Sequence, residues 1–178
     1  LTNRREFSRA IAVYRKAQQV FNTRQIFAID IPNVYMQAGQ YQKAIAEWLA
    51  IIEGNPEQST SFRRLLIRYN DPLLFDDSIA EVEFMLQDMA INNPAYTTFY
   101  ELQIWLLFEN KLYRRAYAAA REYEISTSNF NYALYNVART LAENNEYELA
   151  LQAYAYYTNS QNAEVRWRAA EQQADVYM

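Results

Sequence analysis

The stretch "AGQYQKAIAEW", residues 38–48, reads as a short amphipathic helix entered through a glycine turn. The same beats appear upstream in "REFSRAIAVY", residues 5–14, and far downstream in "NEYELALQAY", residues 145–154. Aligned on the phrase, Phe7, Ala10, Ile11 and Tyr14 return 34 residues later as Tyr41, Ala44, Ile45 and Trp48. Tyr113 and Ala116 are followed at the same interval by Tyr147 and Ala150, and Phe75, Ser78 and Ile79 hold the intermediate place. The aromatic beat falls at 7, 41, 75, 113 and 147, with spacings of 34, 34, 38 and 34. A fixed period in this range signals stacked helical hairpins, each unable to bury its apolar face alone.

Each residue type in the phrase has a packing reason. The aromatic, the small residue three positions on and the aliphatic beside it share one helical face. Alanine is small where two helices must approach closely, so a larger side chain at Ala44, Ala116 or Ala150 overpacks the contact. The next aromatic (Tyr14, Trp48 or Tyr154) comes round a turn later to fill space against the neighbouring hairpin.

Composition agrees with an all-helical chain. Of 178 residues, 51% are hydrophobic, which excludes a disordered polymer. With two glycines and four prolines the chain lacks the turn residues that a sheet protein of this size needs. There is no cysteine and no histidine, which removes disulfides, thiolate or imidazole metal sites and the usual nucleophile–base pairs. No apolar run is longer than that of "IWLLF" at 104–108, which is far too short to span a bilayer. Asp76 and Asp77 are adjacent, so on a helix they point about 100° apart and do not converge as catalytic carboxylates must. No glycine loop able to cradle phosphate exists. The expectation is a protein without enzymatic activity and without cofactors.

Charge is segregated along the chain. Residues 1–68 carry ten Lys/Arg against five Asp/Glu, whereas residues 69–110 contain eight acids and no Lys or Arg. This pattern fits either solvated helix faces or a steering surface for a basic partner or a second copy. An acidic chain without a continuous basic stripe is a poor nucleic-acid binder.

The phrases "AGQYQKAIAEWLAIIEGNP", "NKLYRRAYAAAREY" and "NNEYELALQAYAYYTNSQN" resemble the tetratricopeptide repeat (TPR) family. The resemblance covers essentially the whole chain, although several repeats are degenerate. It implies a right-handed α-solenoid of about ten helices forming one domain over residues 1–178. A half repeat is expected at 4–24, full hairpins at 25–58, 59–96, 97–130 and 131–164, and a further half at 165–178. Such a chain starts and stops in mid-repeat, as a slice of a longer solenoid would.

The same resemblance implies binding of a protein or peptide, because the first helices of successive TPR hairpins line a concave groove. Mapped onto this chain, that face comprises Asn33, Gln37, Arg63, Asn70, Trp105, Phe108, Tyr132, Tyr135 and Arg139. The lysine, arginine and asparagine clamp that some TPR domains close on a chaperone's terminal carboxylate is not reproduced. Asn33 matches one asparagine of it, but Ile29, Thr98 and Leu102 occupy its basic positions. The rival expectation is a self-assembling module, and a third is the recognition arm of a larger protein. The cysteine-free, lysine-poor, Asn/Gln/Tyr-rich composition suits an exported bacterial protein, such as one of the periplasm or cell envelope, and leaves the cytoplasm open.

Two departures from the repeat carry structural expectations. Pro32 in "FAIDIPNVYMQ" predicts a kink or a late helix start near Asp30. Asp71–Pro72 in "RYNDPLLFDDS" is a cap and first-turn signal. It predicts a second helix that starts early and runs to about Asn92, the extra turn accounting for the 38-residue spacing.

Overall fold

The computed structural model describes residues 2–127 and 132–177, with side chains described over residues 6–127 and 132–176. The expected boundary at 130/131 lies outside the described residues. Among them are ten α-helices and no strand: α1 (Thr2–Val20), α2 (Asp30–Gln37), α3 (Tyr41–Gly54), α4 (Ser59–Tyr69), α5 (Pro72–Asp88), α6 (Tyr96–Glu109), α7 (Tyr113–Thr127), α8 (Ala133–Glu143), α9 (Tyr147–Ala155) and α10 (Ala163–Tyr177). A 3-10 turn, Pro56–Gln58, leads into α4. The chain is therefore all-α. Its contacts divide it into two compact units, residues 1–102 and 103–178.

Three of the helix–helix turns share one construction at one offset from the aromatic beat. Gly39, Lys111 and Asn145 each lie two residues before the beat tyrosine, and each adopts positive φ, at 69°, 56° and 63°. At each, the left-handed residue's N–H reaches back three residues and the next N–H reaches back five. The bonds are Gly39 to Met36 O at 3.0 Å with Gln40 to Tyr35 O at 2.9 Å, and Lys111 to Phe108 O at 2.9 Å with Leu112 to Leu107 O at 2.8 Å. The third pair is Asn145 to Ala142 O at 3.0 Å with Glu146 to Leu141 O at 2.9 Å. This Schellman geometry satisfies the last carbonyls of the first helix and reverses the chain. Only one of the three is glycine, so Lys111 and Asn145 carry the cost of the left-handed region.

The turn before Phe75 is built differently. Asn70 takes the left-handed conformation, at φ 48°, three residues sooner in the repeat than the other turns. The Asp71 side chain then accepts the Leu73 N–H at 3.0 Å, with Pro72 in the first turn. The early start is thus as expected, but α5 ends at Asp88 and does not run to Asn92. The surplus residues lie mainly in the following connection, which has seven residues (89–95) where the connection after α3 has four (55–58). There the Asn93 side chain accepts the Ala95 N–H at 2.8 Å, so "NNP" shapes a turn in place of a last helical turn.

In the first unit α3 packs against both α2 and α5, and α1 packs against α2. The core includes Ile31 and Met36 of α2, Ala44, Ile45, Trp48, Leu49 and Ile52 of α3, Phe62, Leu65 and Leu66 of α4, Leu74, Phe75, Ile79 and Val82 of α5, and Phe99 and Leu102 of α6. Helix α2 begins at Asp30, so Pro32 sits in its first turn, where proline is tolerated, and the flanking N–H groups of Ile31 and Asn33 reach Phe27 O and Ile29 O at 3.1 and 3.3 Å. Gln18, buried on α1, donates to Arg24 O and Ile26 O, both at 3.0 Å, and so pins the segment between α1 and α2. Arg15 of α1 pairs with Glu47 of α3.

In the second unit α8 packs on α7 and α9, and α9 on α7 and α10. Alanines 116, 120, 133, 138, 150, 153 and 169 are all buried, which lets these backbones approach closely. The small member of the repeated phrase is fully enclosed at Ala44, Ser78, Ala116 and Ala150. Serine is tolerated at 78 because its Oγ donates to Leu74 O at 2.7 Å within its own helix. The beat aromatic varies in burial, Phe75 lying in the core and Tyr147 being 48% exposed. Trp48 and Tyr154, two turns beyond the beat, are both buried in the core.

Candidate functional site

In the first unit an open groove of about 270 Å³ is lined by Ile29, Asn33, Trp48, Ser61, Arg64, Leu65 and Arg68. One wall is the start of α2, with Ile29 just ahead of the helix and Asn33 in its first turn. The opposite wall is α4, whose Ser61, Arg64, Leu65 and Arg68 follow a three-and-four spacing and so present one stripe. Trp48 of α3 also lines the groove; its ring centroid lies 5.9 Å from that of Phe62, buried on α4.

The polar groups of this groove are uncommitted. Arg64 and Arg68 are exposed, and neither forms an ion pair among the described residues; the Arg68 guanidinium stands 5.8 Å from the Tyr69 ring centroid. The Trp48 indole N–H is buried without a hydrogen-bond partner among the described residues, although the residue is only 2% exposed. A buried donor left in this condition costs free energy that an acceptor would recover. No acid lines the groove.

The residues mapped from the sequence divide between places. Asn33 lies in the groove. Gln37 is exposed at the last position of α2, outside the groove lining. Arg63 is half-buried on α4, one residue from the groove stripe; burial lowers its pKa, and the Glu101 carboxylate opposes that effect. Asn70 is the left-handed cap of α4, a backbone role that accounts for its side-chain type. The face mapped from the TPR resemblance includes Arg63, whereas the groove is lined by Arg64 and Arg68. The rotation of α4 is set by its buried Phe62, Leu65 and Leu66, and the early turn at Asn70 shifts the helix against the period.

In the second unit Trp105 and Phe108 of α6 are half-buried, and Phe108 packs on Tyr113 at 5.9 Å between centroids. Tyr132 and Tyr135 join a tyrosine cluster. Tyr135 meets Tyr154 edge-on at 5.2 Å and Tyr157 at 6.0 Å, and Tyr132 meets Tyr157 at 6.0 Å. The Tyr157 hydroxyl accepts the Tyr135 N–H at 3.2 Å, and the buried Glu124, whose charge adds to the rise in the Tyr157 pKa, accepts the Leu134 N–H at 3.3 Å. Asn162 donates to the Tyr132 hydroxyl at 3.2 Å. Burial raises the pKa of Tyr135, of Tyr154 to about 12, and of Tyr157 further still. These contacts make Tyr132 and Tyr135 largely packing residues. Arg139 is exposed one turn beyond Tyr135 and stands 3.9 Å from Glu143.

Among the described residues no cluster of three or more potential ligands could hold a metal, and no helix is long and apolar enough to cross a membrane. No family model, curated protein or solved structure matches the chain.

Proposed function

We propose that the chain is a protein-interaction module without catalytic activity, a right-handed solenoid of TPR-like hairpins that receives a peptide or partner surface on its first helices. The observation that carries this reading is the groove between α2 and α4, successive first helices of the repeated hairpin, with Asn33, Trp48, Arg64 and Arg68 around it. Conversion of a buried aromatic and neighbouring arginines into binding energy is the usual behaviour of interface hot spots. The repeated phrase supports the reading from the other side, since it occupies second helices and leaves the first helices free to vary.

Immobilised protein, compared with a triple variant Asn33→Ala, Arg64→Ala and Arg68→Ala, tests the reading. Partners held by the native chain and released by the variant are the expected result. Identical retention by both would refute the assignment of the binding face. A second reading, self-association, is favoured by the segregation of basic residues 1–68 from acidic residues 69–110. Sedimentation at low and high salt separates it, because electrostatic association weakens as salt rises. A monomer at every salt concentration would exclude it.

A further inference from the structure

The groove in the first unit has the chemistry to choose its occupant, and we infer that it takes an internal acidic segment of a partner protein, with an Asp or Glu side chain seated between Arg64 and Arg68. This rests on the proposed peptide-binding function. Three observations on separate elements carry it.

First, Arg64 and Arg68 stand one turn apart on α4 and both line the groove. Neither is neutralised by an ion pair among the described residues. Like charges at this spacing repel each other mildly, and a carboxylate placed between them relieves that repulsion. Guanidinium also presents its donors in a planar fork that matches a carboxylate.

Second, Trp48 lines this groove, so its indole reports on an occupant. Asn33 and Ser61, on opposite walls, make no side-chain hydrogen bond among the described residues and supply further donors and acceptors. Third, Ile29 and Leu65 provide apolar wall on either side, which lowers the local dielectric and strengthens a charge pair formed there.

The groove is open, so a chain can enter on one side and leave on the other. This favours a side-chain carboxylate within a segment over a captured chain end. The occupant is thus recognised by negative charge at one position and by its backbone at the next.

The test uses the isotope-labelled protein and the indole N–H resonances of its three tryptophans, assigned by Trp→Phe replacement. The probe is a hexapeptide of alternating Gly and Glu, acetylated and amidated so that only side chains carry charge. Controls are the same peptide with Gln for Glu, an all-Gly peptide with a free carboxyl terminus, and inorganic phosphate. The Glu peptide is expected to shift the Trp48 resonance and to bind more weakly as salt rises. Arg64→Gln with Arg68→Gln should weaken it by roughly tenfold or more, since hydrogen bonds to charged groups are the stronger class. Both arginines are exposed, and an unchanged circular dichroism spectrum establishes that the variant is folded.

Equal binding of the Gln peptide would overturn the inference while leaving the peptide groove intact. A matching response to the free carboxyl terminus or to phosphate would overturn it in favour of chain-end or phosphate capture. A Trp48 resonance unmoved by every probe would also overturn it, and the retention experiment on the triple variant would then judge the groove independently.

Discussion

Replacing Ala44 with leucine tests the central packing claim, that the repeated small residue marks a close helix contact. Ala44 lies on α3 with no exposed surface, and α3 packs against both α2 and α5. Leucine adds three carbons at this point. If space existed, burying them would stabilise the fold by about 0.8 kcal/mol each. If the contact is tight, overpacking costs about 1–3 kcal/mol. The two cases differ in sign, so the measurement decides between them. The control is Ala46→Leu, two positions along the same helix and exposed, where the substitution changes stability by roughly half a kcal/mol or less. Urea unfolding followed by circular dichroism measures both. For a chain of this length the expected loss corresponds to a fall of roughly 2–12 °C in Tm. An Ala44→Leu variant as stable as Ala46→Leu, or more stable, would refute the close-contact reading.

Two further outcomes follow from other parts of the molecule. Asp71→Ala removes the acceptor of the Leu73 N–H and should cost about 1 kcal/mol in urea unfolding, within the usual range for an N-cap; an unchanged midpoint would mean that Pro72 alone starts α5. In the second unit, Tyr154 and Tyr157 have pKa values raised by burial, Tyr154 to about 12. Unfolded tyrosines ionise near pH 10, so the native state alone keeps these protons above that pH. Stability is therefore full below pH 10 and is lost as pH rises from there through 12, Tyr154 alone accounting for about 3 kcal/mol at ~1.4 kcal/mol per pKa unit. Tyrosinate absorbance followed with circular dichroism should show the last tyrosines ionising together with unfolding; complete ionisation with helicity retained would refute the burial.

Much of the architecture follows from local chemistry. The 34-residue recurrence of an aromatic, a small residue and an aliphatic marks where α3, α5, α7 and α9 lie, because those residue types must face a neighbouring helix whatever surrounds them. Asp71–Pro72 marks the start of α5, and Pro32 the first turn of α2, because proline lacks an N–H and tolerates few other places. Fold class and helix order are therefore written in the sequence itself.

The groove required the tertiary structure. Which of Arg63 and Arg64 faces α2 depends on the rotation of α4 about its axis, and a single position turns a side chain by about 100°. That rotation is set by the burial of Phe62, Leu65 and Leu66, with Phe62 beside Trp48 of α3, and by where the chain reverses at Asn70. The same holds for Tyr132 and Tyr135, which look like free groove aromatics in one dimension and meet Tyr157 and Tyr154 in three. Repeat periodicity determines which helix a residue belongs to. Only packing determines which way it points, and that decides what the residue can bind.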